Sequence, residues 1–145
     1  MDLAGELNNL TSSITSQRSN IAADIQRLET ALSDIKREQE TGFQEKKTLT
    51  EPELGASWKG TRADSFDEDR EAASEKMDQI LHYDFSMYIS SIESKISTLQ
   101  NQIAALTALD IVSNEAEDLI RKGEDAIDSA ISKLGEIRKG LASWL

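Results

Sequence analysis

Leu7, Ile14, Ile21, Leu28 and Ile35 stand one heptad apart. Leu3, Leu10, Ile25, Ala31 and Leu32 fall on the same side of a helix drawn through them. Five such repeats exclude a strand, whose faces alternate every second residue, and define a long helix with an apolar seam like that of a coiled coil. This first helix is expected from about Asp2 to about Lys47. After Ile35 the seam gives way to Lys36-Arg37-Glu38-Gln39-Glu40, and Lys46 and Lys47 suit a C-terminal turn, where the helix dipole favours cations.

Residues 48–60 interrupt the helical pattern. Pro52 is the only proline; it lacks an amide proton and disfavours helical geometry at Glu51. Gly55 and Gly60 permit the backbone to reverse. The stretch is read as a turn carrying Leu54 and Trp58. A second helix is expected from about Thr61 to Leu109. Its opening turns carry Asp64, Asp67, Glu68, Asp69 and Glu71, where carboxylates favour a helix start. Its apolar face, spaced by three and four, takes in Phe66, Ala73, Met77, Ile80, Leu81, Phe85, Tyr88, Ile92, Ile96, Leu99, Ile103 and Leu106.

Asp110, Ser113 and Glu117 then occupy positions where apolar residues are due, and Asn114 with Glu117 has the form of a capping box. This places a break at residues 110–114 and a third helix over about 114–142. Ile120, Ile127, Leu134 and Leu141 form one of its seams; Ala116, Gly123, Ala130 and Ile137 form the other. Small residues there suit close packing against the hairpin or a partner, while the lack of glycine or proline at 110–114 leaves a single bent helix as the alternative. The fold class is all-α: one domain over 1–145, an elongated, coiled-coil-like hairpin with a third C-terminal helix.

The chemistry-bearing residues are few. With no cysteine there is no thiolate nucleophile or disulfide, and His82 is the single histidine. A calcium loop drawn from Asp64 to Glu75 would put Phe66 and Asp69 where a ligand and a glycine belong, so these acids read as a solvated helix start. No nucleophile elbow, phosphate loop or dinucleotide fingerprint occurs. The chain is therefore expected to be no enzyme and to need no cofactor or metal. Its 27 acidic and 16 basic residues give a net charge of −11, which repels nucleic-acid phosphates and anionic lipid. No apolar run approaches a membrane span, and the N-terminus lacks the pattern of a Sec-type signal. A cytoplasmic protein, or one exported without a cleaved signal, is expected.

A long helix, a turn bearing Trp58-Lys59-Gly60 and a second long helix resemble the Trp-X-Gly (WXG, ESAT-like) superfamily of type VII secretion. Leu54 before the tryptophan and Phe66 after it fit the hydrophobic pattern around that family's turn. The resemblance covers residues 1 to about 108 in architecture and 54–66 in motif. It implies a helical hairpin that pairs with another and serves export. The third helix makes the chain more similar to the longer helical proteins that accompany LXG-type toxins, bind the toxin's helical N-terminal region and target it to the secretion machine. The family's Tyr-x-x-x-Asp/Glu export signal is absent: Met87 follows Tyr83 and Ile92 follows Tyr88 at that spacing.

The expected partner is an LXG-type toxin or another WXG-like protein, with a homodimer and a secretion ATPase as further candidates. Leu7, Ile14, Ile21, Leu28 and Ile35 would be buried against partner helices, and Leu54, Trp58, Gly60 and Phe66 would form a tip patch. A structural coiled-coil scaffold is the alternative; it uses the seams and leaves the tip without a role.

Overall fold

The computed structural model describes residues 2–50 and 60–143. Among these there is no strand. Helix α1 spans Leu3–Thr50 and α2 spans Thr61–Asp78. A π-helical segment follows over Gln79–Asp84, then α3 over Phe85–Lys122. A short 3-10 turn at Glu124–Ala126 leads into α4, Ile127–Ala142. Asp2 starts α1, its carboxylate accepting from the Gly5 amide at 3.0 Å.

The chain divides into two compact units, one formed by Met1–Arg27 with Ile96–Leu145, the other by Leu28–Lys95. In the first, the N-terminal part of α1, the C-terminal part of α3 and α4 surround a core of Leu7, Ile14, Leu106, Ala116, Leu134, Ile137 and Leu141. Leu3, Leu10, Ile21, Leu109, Val112 and Ile120 pack around its edge. The α4 helix runs back along α3, as the Lys133–Glu115 ion pair at 3.0 Å and the approach of Gly140 to Leu109 show. A Cβ at Gly140 would lie 2.5 Å from a Leu109 methyl, so the two helices meet too closely there for a larger residue. Arg138 reaches Glu6 of α1 at 2.7 Å. Of the two arrangements left open for the third helix, packing back on the chain is the one found.

The break before that helix is not at 110–114. Helix α3 continues through those residues to Lys122, and the chain turns at Gly123, whose φ of 89° and ψ of −151° lie in a region essentially reserved for glycine. The polar residues that suggested an interruption are instead paired while remaining helical. Asp110 meets Arg18 of α1 at 3.6 Å, and Glu117 meets Arg121 one turn on at 2.6 Å. Buried Ser113 accepts from the Thr11 hydroxyl at 3.5 Å. Asn114 is exposed inside the helix and caps nothing. Gly123, read as a small seam residue, is the turn itself.

In the second unit, α1 from Leu28 onward packs antiparallel to α2, the π segment and the start of α3. Arg70 donates to the Leu49 carbonyl, Lys46 pairs with Asp78, and Gln39 reaches the Leu81 carbonyl at 2.6 Å. Two layers one helix thick enclose little. Leu81 and Ala63 are buried, whereas Leu28, Ala31, Leu32, Ile35 and Phe43 are only half covered. Of the expected turn over residues 48–60, residues 48–50 are the last of α1, which runs three residues past Lys47, while 51–59, with Leu54 and Trp58, lie outside the described residues. No described helix is long and apolar enough to cross a membrane.

Candidate functional site

The most unusual local geometry lies in the second unit, where the π segment crosses α1. A π turn holds one more residue than an α turn and leaves a carbonyl poorly placed for the regular ladder. Here the Leu81 carbonyl accepts from the Gln39 side chain at 2.6 Å. The Leu81 side chain presses on Gly42, where a Cβ would come 2.4 Å from its methyl. Gly42 is therefore a close-approach site. Beside it the rings of Phe43 and His82 meet at 4.8 Å between centroids, tilted by 52°. His82 Nε2 lies 3.7 Å from the carboxylate of Asp78, which Lys46 also engages. Contacts from α1 hold the extra residue in place on three successive turns.

This inserted residue decides which side chains face outward. A regular α-helix returns to the same face every ~3.6 residues, so three turns beyond Met77 it would bring Tyr88 inward. The observed inner face instead runs Met77, Leu81, Phe85, Ile89, in steps of four. Tyr88 is turned out, 64% exposed, along with Tyr83 at 64%, Met87 at 55% and Ile80 at 37%. Ile80 and Tyr88, read from the sequence as inward-facing, are thus corrected to surface positions. The signal was available: repeated four-residue steps drift off one face of an α-helix and are held there only by an extra residue.

The other expected contact residues are distributed as follows. Leu7 and Ile14 are not available to a partner; the chain's own α3 and α4 cover them, with exposures of 5% and 0%. The third helix supplies the surface that a two-helix reading leaves to a second chain. Ile21 is half-buried at the edge of the first core, and Leu28 and Ile35 are half-buried in the second unit. Leu54 and Trp58 lie outside the described residues. Gly60 opens α2, its carbonyl accepting from the Asp64 amide at 3.1 Å, and its φ of 106° with ψ of −179° is another glycine-only conformation. Among the described residues no neighbour crowds it; the backbone conformation itself favours glycine there. Phe66 is half exposed, with the Arg70 guanidinium 5.5 Å from its ring centroid. Read from the sequence as part of the apolar face of α2, it is corrected to a surface position.

In the first unit a shallow groove of about 350 Å³ runs between α1 and α3, bordered by Leu7, Asn8, Thr11, Asn114, Glu117 and Arg121. In it the Thr11 hydroxyl donates to that of Ser113, and Glu117 pairs with Arg121. Among the described residues no three histidine, aspartate or glutamate side chains converge as metal ligands.

The model of the YwqH-like family matches residues 5–121. Protein YwqH of Bacillus subtilis (strain 168) is 35% identical over 131 residues, a stretch that takes in 88% of this chain and 94% of that protein. No solved structure matches.

Proposed function

The chain belongs to the YwqH-like family, and from that premise we propose that it works by binding another helical protein in a bacterial type VII secretion system. The favoured partner is the helical N-terminal region of an LXG-type toxin, or another WXG-like protein, which the chain would hold for export. One observation carries the binding reading. In the unit formed by Leu28–Lys95, two helical layers leave the heptad stripe of α1 at Leu28 and Ile35 only half covered. An apolar stripe of that regularity gains ~25 cal/mol for each further Å² removed from water, which a third helix laid along it would supply. The secretion context comes from the Trp-X-Gly resemblance. Gly60, in a backbone conformation that only glycine adopts readily, supports a specific turn before α2. Trp58, Gly60 and Phe66 would be offered to the toxin or to a secretion ATPase.

Two experiments test this. Co-expression with the N-terminal region of an LXG-type toxin from the same genome is expected to give a stable hetero-complex; a self-sufficient homodimer that ignores the toxin would support the scaffold instead. Trp58→Ala is expected to leave helicity intact and abolish toxin export. Normal export in that variant removes the tip from the mechanism.

A further inference from the structure

Ile80, Tyr83, Met87 and Tyr88 form an exposed apolar surface that neither the heptad seam nor the Trp-X-Gly turn accounts for. Helical spacing joins them. Tyr83 and Met87 lie one turn apart, Ile80 and Tyr88 flank Asp84 in the neighbouring row, and Glu75 and Gln79 continue the Tyr83 row toward the N-terminus. The surrounding charge is mostly negative, with exposed Lys76 one turn before Ile80 as the cation nearest the face. Between Asp64 and Asp84 there are eight carboxylates, at 64, 67, 68, 69, 71, 75, 78 and 84, against Arg70 and Lys76, and from Asp84 the next cation is Lys95. Asp78 faces α1, where Lys46 meets it. Glu68, Asp69, Glu75 and Asp84 are exposed.

We propose that this face, Ile80–Tyr83–Met87–Tyr88 with its acidic border, docks a basic amphipathic helix: one whose apolar stripe covers the two tyrosines and Met87 while lysines or arginines beside the stripe meet Glu75 and Asp84. Three observations select that occupant. The surface is one helix wide and runs along a helix axis, which suits ridge-and-groove packing of a second helix. Tyrosine and methionine offer large apolar area with a polar or adaptable end, the composition of contact surfaces. The carboxylates disfavour a second copy of the same acidic face, an anionic membrane and a nucleic acid, because each places like charge against like. The π segment has a role in this: without its extra residue Tyr88 would turn toward α1 and the face would lose a ring.

The inference shares with the secretion reading only the premise that the chain binds a helix, and it names the helix's charge. Its test uses the full-length chain and two synthetic peptides with the same leucine stripe, one flanked by lysine and the other by glutamate, followed by fluorescence anisotropy. The lysine peptide is expected to bind, with affinity falling as salt rises, and the glutamate peptide to bind at least about tenfold more weakly. Tyr83→Ser with Met87→Ser, and separately Glu75→Lys with Asp84→Lys, are each expected to weaken the lysine peptide by about tenfold or more. All four side chains are exposed, so circular dichroism and the thermal midpoint should stay unchanged and report any misfolding. The proposal is overturned if neither peptide binds, if both bind alike, or if the Tyr83/Met87 variant binds as the wild type does. Sedimentation showing a wild-type dimer that the same variant dissociates would give the surface to a second copy and overturn it too. No toxin complex on co-expression with peptide binding intact would fail the secretion reading alone, and a stable toxin complex with no peptide binding would fail this one alone.

Discussion

Two glycines close together in the chain should respond to the same substitution with opposite sign. Gly123 turns the chain between α3 and α4 at φ 89° and ψ −151°, while Gly135 sits inside α4; neither has an atom within 4 Å of where a Cβ would go. Sterics with neighbours therefore drop out, and the difference is one of backbone conformation. Holding a non-glycine residue in the Gly123 conformation costs about 1–3 kcal/mol. Loss of freedom in the unfolded chain returns about 0.4–1 kcal/mol. Gly123→Ala should then destabilise by about 1–2 kcal/mol. At Gly135 the helix accepts alanine directly, and Gly135→Ala should stabilise by about 0.5–1 kcal/mol. For a chain of this size each kcal/mol moves the thermal midpoint by about 2–4 °C, so the thermal midpoints should move apart by several degrees and the urea midpoints should separate in the same order. Asn114→Ala is the control. As an exposed residue inside α3 it should be neutral or slightly better, whereas loss of a helix cap there would cost about 1 kcal/mol. Equal shifts at Gly123 and Gly135, or a clear loss at Asn114, would put the helix boundary at 110–114 and refute the turn at Gly123.

Further outcomes follow from the same packing. Leu134→Ala empties a fully buried position and should cost about 2–5 kcal/mol by urea denaturation, whereas Ile127→Ala, at a site 37% exposed, should cost well under half as much. Gly60→Ala should destabilise the start of α2 by about 1–3 kcal/mol, seen as faster amide exchange over residues 62–70. The hydrogen bond and charge of Glu115, with Glu136 beside it, raise the pKa of Lys133 above its ordinary 10.5. A cation stabilised in the folded state contributes fully below its unfolded pKa and loses that contribution as pH rises through the raised folded value. The stability gap between wild type and Lys133→Gln should therefore be constant near neutrality and close above 10.5; a gap that persists at higher pH would rule out the ion pair as its source.

Much of this protein is written locally. The heptad spacing from Leu7 to Ile35, the carboxylates after Thr61 and the lack of internal proline specify helices without reference to anything distant, and α1 and α2 begin within a residue of where those patterns put them. The reason is that helix formation depends on neighbours three and four residues away, which a linear string displays. Gly60 is legible in the same way, since a backbone requirement belongs to one residue.

The rest depended on which surfaces meet. Asp110, Ser113 and Glu117 look like a break in isolation because a polar residue in an apolar seam is costly; Arg18, Thr11 and Arg121 remove most of that cost, and two of those partners lie on another helix. Leu7 and Ile14 look available to a second chain until α4 folds back and covers them. The same holds for Tyr88: a single residue accommodated as a π turn, with Gln39 and Gly42 fitted to Leu81, turns it outward. Spacing along the chain reports which residues share a face, but which face is buried follows from contacts between segments far apart in sequence, and those exist only once the helices have packed.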